Sequence, residues 1–249
     1  MLVTLDGIVI GRRDIGENNV FLDILTKDYG VIEATAHGIK KLTSRNAASA
    51  CLFSYSRFCL NRNSLRYSLN SAEPIYNFFK LSSDLKLFSL AIYFSDLVKF
   101  TGASEQNSDE LLEFFLISLY QLEKGKTSPE LIKAIFELRV CGMLGFMPDL
   151  RACCECSCYQ HEKMHFDFEE SNIICDACAS TDIIKKDFFE LSPSLLHTLR
   201  FVSYSPIQKI FGFRLSGETP EQFYDFSEKY IKHQLGRTFT SLEYYKKLI

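Results

Sequence analysis

The sequence predicts an α+β protein, with a small N-terminal β-barrel followed by a mainly helical domain that carries an inserted cysteine module. Three observations predict it. Up to about residue 80 the apolar residues fall in short strand-like runs, and beyond it they follow a helical period. Six of the nine cysteines lie between Cys153 and Cys178. Charge is also uneven: residues 1–80 hold ten Lys and Arg against seven Asp and Glu, whereas residues 81–249 hold 18 against 24.

The strands come first. Ile8-Val9-Ile10, Val20 to Leu25 and Val31 to Ala36 are β-branched or apolar runs, separated by Asp14 to Asn19 and Lys27 to Gly30, which are turn material. Phe53 to Leu60 and Leu65 to Asn70 flank a hairpin-like break at Asn61-Arg62-Asn63-Ser64. In the last run Leu65, Tyr67 and Leu69 share one face. Five such strands suggest a small closed barrel, for which the OB-fold is the size-matched candidate. The basic stretch Gly38 to Arg45 then falls in a loop between the third and fourth strands.

The helices follow. Leu87, Phe88, Ala91, Ile92 and Val98 mark a first helix over about 83–100. A second starts near Ser108 with Asp109 and Glu110 in its first turn. A third opens with Ser128 as cap and Pro129 at the first helical position, and Gly145 and Pro148 close it. Ser192-Pro193 and Thr219-Pro220 repeat that signal, and Thr219 with Gln222 forms a candidate capping box. Phe223, Phe226, Tyr230 and Ile231 form the last clear stripe, ended by Gly236.

Composition narrows the function classes. Hydrophobic residues at 47% and charged residues at 24% exclude disordered, collagen-like and fibrous chains. No apolar run reaches membrane-spanning length, and the opening Met1 to Gly7 lacks the pattern of a signal peptide, so a soluble cytosolic protein is expected. Clustered cysteines without secretion point to metal rather than disulfides. Cys51, Cys59 and Cys141, in apolar surroundings, read as small core residues.

The sharpest motif is Cys153-x2-Cys156-x18-Cys175-x2-Cys178. Each pair offers two thiolates from one turn and the spacer returns the chain, which is what tetrahedral zinc requires. Four thiolates leave no open position, so the site reads as structural. Cys154 could replace Cys153 only with a changed bite. Within the spacer His161-Glu162-Lys163-Met164-His165 matches the H-E-x-x-H zinc-peptidase motif, but that chemistry needs a long helix and a third ligand. Gly125-Lys126-Thr127 lacks the earlier glycine of a phosphate loop, and no nucleophile elbow, dinucleotide motif or convincing carboxylate pair is present, so no catalytic residue is assigned.

Between Glu33 and Glu73 the chain has Lys40, Lys41, Arg45, Arg57, Arg62 and Arg66 and no acidic residue. Such a one-sign window is an electrostatic footprint for a polyanion. Interleaved with Phe53, Tyr55, Phe58 and Tyr67 it fits single-strand binding, where cations track phosphates and aromatic faces stack bases. The plainer alternative makes the aromatics barrel core and the cations a solvated face.

The order of these parts resembles the RecO family of recombination mediators in bacterial DNA repair. The resemblance rests on Gly7-Ile8-Val9-Ile10, Gly16-Glu17, Leu25-Thr26, Gly30 and His37-Gly38-Ile39-Lys40-Lys41, on Leu144 to Leu150 leading into the first cysteine pair, and on the tail His233 to Leu242. Ser157 departs from the family, which usually has glycine there, and Cys154 and Cys158 are additional. The resemblance implies an OB-fold over 1–80, a helical domain in two parts (81–150 and 183–249) and a zinc module over 151–182.

It further implies a non-enzymatic protein, cytoplasmic and nucleoid-associated, that binds single- and double-stranded DNA, anneals strands and, with RecR, helps load recombinase. The acidic C-terminal tail of single-stranded-DNA-binding protein is the other implied partner, and no membrane is involved. One structural zinc per chain is expected on Cys153, Cys156, Cys175 and Cys178. The expected DNA contacts are Arg12, Arg13, Lys40, Lys41, Arg45, Arg57, Arg62 and Arg66, and Lys126, Lys133 and Arg139 are candidates for the tail peptide. Two other classes compete: a peptidase through His161, Glu162 and His165, and a zinc-ribbon interaction module without DNA affinity.

Overall fold

The computed structural model describes residues 1–41, 43–63, 66–101, 108–179 and 188–249. Its elements are β1 (Leu2–Ile15), β2 (Asn19–Thr26), β3 (Gly30–Ala36), β4 (Ser54–Asn63), β5 (Arg66–Asn77), α1 (Leu85–Phe100), α2 (Ser108–Lys124), α3 (Pro129–Met143), β6 (Met164–Asp167), β7 (Asn172–Cys175), β8 (Phe189–Leu191), α4 (Pro193–Tyr204), α5 (Thr219–Leu235) and α6 (Thr240–Lys246). They divide into two compact units, residues 1–124 with 239–249, and residues 125–238.

In the first unit, period-two alternation builds a barrel. Val20, Leu22 and Ile24 of β2, Ile32 and Ala34 of β3, and Phe58 and Leu60 of β4 share one core with Leu5 and Val9 of β1. The strands pair in the cyclic order β1-β2-β3-β5-β4 and back to β1. The β3–β5 seam is parallel, with two pairs in register, Ala34–Tyr67 and Thr35–Ser68. This is the order of the OB-fold, a five-stranded, partly open Greek-key barrel.

β1 outruns its apolar segment because β4 holds its Leu2–Ile8 half and β2 its Gly7–Ile15 half. Ladder hydrogen bonds secure these polar ends, and hydropathy does not report them. β5 runs on to Asn77 for the same reason, paired with β4 while its side chains are mostly exposed. Phe53 drops out of β4: its backbone is left-handed, at φ 61°, and its buried ring meets Phe88 edge-on. Leu65 lies outside the described residues, whereas Tyr67 and Leu69 pack on the barrel core. Asp84, missed by pattern, caps α1 by accepting from the N–H groups of Lys86 and Leu87. The Phe239 ring meets Tyr93 and Phe100 edge-on and anchors α6, an element no sequence signal marks.

In the second unit, Ser128 and Ser192 cap α3 and α4 as their Ser-Pro dipeptides predict. The capping box at Thr219 does not form. Thr219 is the first residue of α5, its hydroxyl bonds Ser194 Oγ at 3.0 Å, and Gln222 accepts from Ser192 Oγ at 3.1 Å. Neighbouring polar groups on α4 compete for the capping atoms and bridge two helix N-termini instead. Gly236 ends α5 in the left-handed region, at φ 61°. The sheet order is β7-β6-β8, the third strand being an addition to the expected hairpin. Phe166 of β6 packs 4.9 Å from Phe226 and 5.6 Å from Tyr230, both on α5, so the cysteine hairpin is seated on that helix by aromatic contacts. Cys141 is buried as expected, but Cys51 and Cys59 are partly exposed, Cys59 because it shares the outward set of β4 with Arg57.

Candidate metal centre and nucleic-acid interface

The Sγ atoms of Cys153, Cys156, Cys175 and Cys178 lie within 4.8 Å of one another. Two similar turns bring them there. Ser157 N–H donates to Cys153 O at 3.0 Å, and Ala179 N–H donates to Cys175 O at 2.9 Å, so each pair is wound around its own first cysteine. Cys154 N–H donates to Ile173 O at 2.9 Å and Asp176 N–H to Lys163 O at 3.1 Å, which ties both turns to the β6–β7 hairpin. A tetrahedral ion with metal–sulfur bonds of about 2.3 Å needs sulfur–sulfur edges of about 3.8 Å. The Cys156–Cys175 edge is 3.7 Å.

The electrostatics favour the thiolate, the form that binds metal, at Cys153 and Cys156. Burial pushes the Cys153 thiol up, but backbone donors around Cys156, Cys175 and Glu155, with the Cys156 side chain, outweigh it and hold it at about 6. Cys175 N–H donates to Cys153 Sγ at 3.3 Å. Backbone bonding at Cys158 and the thiols of Cys178, Cys158 and Cys175 lower Cys156. Hydrogen bonds from Cys156 and Cys175, then burial, raise Cys178. Shared protons of this kind are what a bound cation displaces. The four residues therefore fit a metal ion by spacing, sulfur geometry and donor chemistry.

Arg200 of α4 is a part of this centre that sequence reasoning missed. Its guanidinium donates to the carbonyls of Leu150 (2.7 Å), Arg151 (3.1 Å) and Tyr159 (2.6 Å) and lies 3.9 Å from the Tyr159 ring centroid. One side chain thus fastens both flanks of the first cysteine turn to a helix. No local motif signals it, because its partners are carbonyls some 40 to 50 positions away in the chain.

The peptidase motif does not assemble. His165 lies on β6 and bonds Asp176 Oδ1 at 3.0 Å, while His161 Nδ1 lies 3.1 Å from Lys163 O in the preceding loop. A strand removes the one-turn spacing that puts two such histidines on one metal.

The barrel cations fall into two groups. Strand register brings in acids that the linear sequence keeps distant. Arg57 forms a two-pronged pair with Asp6 at 2.8 and 3.0 Å, Lys40 meets Asp14 at 2.8 Å, and Arg13 pairs with Glu33 and with Asp23. The Arg57 hydrogen bond holds the Asp6 carboxyl below its ordinary value, and Lys40 does the same for Asp14. Among the described residues, Arg12, Lys41, Arg45 and Arg66 are exposed and form no salt bridge, although Arg12 donates to Ala50 O at 3.4 Å and its charge helps to lower Asp14. Arg62 lies 5.8 Å from the Tyr29 ring and 5.7 Å from Tyr67. Of the aromatics read as base platforms, Phe53 and Phe58 are core, while Tyr55 and Tyr67 are half-buried. Lys41 also lines an open cleft of about 610 Å³ with Glu17, Asn18, Asn19, His37 and Gly38.

The helical candidates are placed differently from one another. Lys126 is exposed. Lys133 is buried, 2.9 Å from both Glu137 and Glu228; burial alone would push its ammonium down, and the two carboxylates outweigh this and raise it. Arg139 is buried too and donates to Ser203 O at 2.6 Å, at the C-terminal end of α4. An amphipathic stripe shows where a helix has cations but not which face a neighbouring helix covers.

A five-stranded OB barrel joined in one chain to a helical, four-cysteine unit defines a two-part class of scaffold. The C-terminal model of recombination protein O matches residues 82–243, and the N-terminal model matches residues 1–78. The chain belongs to the recombination protein O (RecO) family, a family of DNA repair and recombination proteins. It is 30% identical to the DNA repair protein RecO of Alkaliphilus metalliredigens over the full length of both chains. It is 29% identical to that of Acetivibrio thermocellus, over 97% of this chain and 95% of the relative, and 29% identical to that of Bacillus subtilis strain 168, over 95% and 91%. Among the described residues no helix is long and apolar enough to cross a membrane.

Proposed function

We propose that the chain is a non-enzymatic mediator of DNA repair. It binds single- and double-stranded DNA through the barrel segment 1–80, promotes annealing and, with RecR, helps load recombinase onto DNA coated by single-stranded-DNA-binding protein. The observation that carries this reading is the set of exposed barrel cations that form no salt bridge among the described residues, Arg12, Lys41, Arg45 and Arg66, beside the Tyr29–Arg62–Tyr67 stack. Cations at the phosphates cancel strand repulsion and leave base edges free to pair, so annealing needs no bond made or broken. Zinc is the ion that four thiolates in a closed tetrahedron select, and here it braces the helical unit rather than reacting. For the acidic tail of single-stranded-DNA-binding protein, Lys126 is the displayed cation of the three candidates, since Lys133 and Arg139 face inward.

The test is binding and annealing of unstructured oligonucleotides by the full chain, followed by fluorescence anisotropy across a salt series. Binding should be sequence-tolerant and weaken steeply with salt. A chain that is folded and metal-loaded but binds no DNA at low salt would refute the reading and favour a zinc-ribbon interaction module.

A further inference from the structure

Four thiols close the metal site, yet six cysteines lie in its module, and the two additional ones are not equivalent. Cys154 is exposed, with its backbone tied to Ile173. Cys158 is half-buried, and its carbonyl accepts from Cys153 N–H at 2.9 Å, which folds residue 158 back onto the first turn. It stands two residues after Cys156, whose Sγ lies 3.7 Å from that of Cys175. Cys158 is therefore held on the turn that carries one end of this sulfur–sulfur edge while standing outside the set of four. On that edge Cys175 is buried and Cys156 is exposed, so a small oxidant reaches Cys156 first.

We propose that Cys158 is a resolving thiol for the metal site: when a peroxide oxidises Cys156, Cys158 captures it as a reducible disulfide, and the metal ion leaves. The inference rests on the metal reading given above. The Cys156 thiolate attacks a peroxide oxygen, the O–O bond breaks, hydroxide departs and a sulfenic acid remains. Cys158 sulfur then attacks Cys156 sulfur; the S–S bond forms, and the sulfenic hydroxyl departs with the Cys158 proton as water. Two sulfurs lose two electrons and the peroxide gains them. With Cys156 withdrawn, three thiolates remain and the ion is held far less tightly. Capture also stops Cys156 short of sulfinic acid, from which thiol reductants do not recover it.

The experiment uses the full chain purified with zinc, its metal content measured first, then treated with hydrogen peroxide and afterwards with dithiothreitol and zinc. The parent should release its zinc, show a Cys156–Cys158 disulfide by peptide mass mapping, and regain about one equivalent on reduction. Cys158→Ser should start equally loaded but accumulate sulfinic acid at Cys156 and regain less than about half of its metal. Cys154→Ser should behave as the parent. Equal recovery by Cys158→Ser, or a disulfide joining Cys158 to any other cysteine, overturns the inference. So does a Cys158→Ser chain that lacks metal before oxidation, since Cys158 would then be a ligand. A parent chain that carries no metal removes the underlying metal reading as well.

Discussion

The two units handle charge in opposite ways. In the barrel unit, Arg57–Asp6 joins neighbouring strands, Arg13–Glu33 reaches from β1 across β2 to β3, and Lys40–Asp14 ties a loop to β1, all at the surface, where each partner stays in contact with water. In the helical unit, Lys133 and Glu137 are buried together, with Glu228 and the Ser227 hydroxyl completing the cluster, and Arg139 is closed over a helix end. Surface pairs contribute little to stability because water and salt compete for both charges. The same competition lets a cation exchange a carboxylate for a phosphate. A buried cluster is costly to break, since the remaining charge has no solvent to turn to. The contrast suits the first unit to the proposed ligand contact and the second to cohesion.

The four-cysteine cluster, with the proposed zinc bound, would be the strongest case of cohesion. Replacing Cys175 and Cys178 together by Ser should reduce bound zinc from about one equivalent to none and remove about 10–16 kcal/mol of apparent binding energy. Metal analysis checks the first part. Limited proteolysis of the full chain checks the second, with new cleavage expected between residues 151 and 179. Retention of one equivalent of zinc by this variant would refute the ligand set.

Next is the buried cluster. Glu137→Leu should destabilise the chain by about 3–5 kcal/mol, because it leaves Lys133 buried with half of its compensation. Adding Lys133→Met and Glu228→Gln should recover most of that loss, as apolar groups of similar volume need no partner. Urea denaturation followed by circular dichroism measures both. If the single variant is as stable as the parent, the cluster is better hydrated than its burial implies, and the contrast between the units weakens.

Much of this organisation was legible in the sequence. Alternation and turn residues located the five strands, Ser-Pro dipeptides located α3 and α4, and cysteine spacing located the four-sulfur cluster, because each signal is local. What the sequence concealed is long-range. No acid lies between Glu33 and Glu73, but pairing of β1 with β4 puts Asp6 opposite Arg57, and the segment after β3 brings Lys40 to Asp14. The stripes of α1 and α2 mark buried faces without saying that they pack with the barrel strands. The inward turn of Lys133 and the reach of Arg200 depend on which helices become neighbours, and no spacing within one helix encodes that.

The barrel side of the comparison is tested by salt. If Arg12, Lys41, Arg45 and Arg66 supply the phosphate contacts, the log–log salt slope on single strands should be about −3, from about 0.7 per contact. Lys41→Ala with Arg45→Ala should flatten it by about 1.4, evenly across sequences. Lys40→Ala should change it less, because Lys40 is already held by Asp14. A Lys40 effect as large as that of Lys41 would show that the surface pairs open freely on binding.

A smaller effect is expected within the cysteine module. Ser157 is held left-handed at φ 59°, a backbone conformation that suits glycine. Ser157→Gly should relieve this and stabilise the metal-bound chain by about 0.5–1 kcal/mol, measured as a rise in the thermal midpoint with zinc content unchanged. A fall in the midpoint would mean that the serine side chain contributes more than its backbone costs.

The smallest stability effect belongs to Asp6–Arg57, and its pH dependence has a definite sign. The hydrogen bond from Arg57, opposed by partial burial and helped by the charges of Arg57 and Lys27, holds Asp6 below its ordinary 3.8. A carboxylate depressed on folding stabilises the native state above its unfolded value, and that contribution fades as pH falls through the folded one. Asp6→Asn should therefore lower the thermal midpoint at pH 7 by at most about 2 °C, and the difference from the parent should shrink below pH 3.8 and vanish once Asp6 is protonated in the folded chain. The same change leaves the exposed Arg57 without its carboxylate, so DNA binding should strengthen and the salt slope should steepen by about 0.7, one further phosphate contact. Weaker binding by Asp6→Asn would mean that the pair positions Arg57 for DNA, and the surface pairs would then be part of the interface rather than competitors with it.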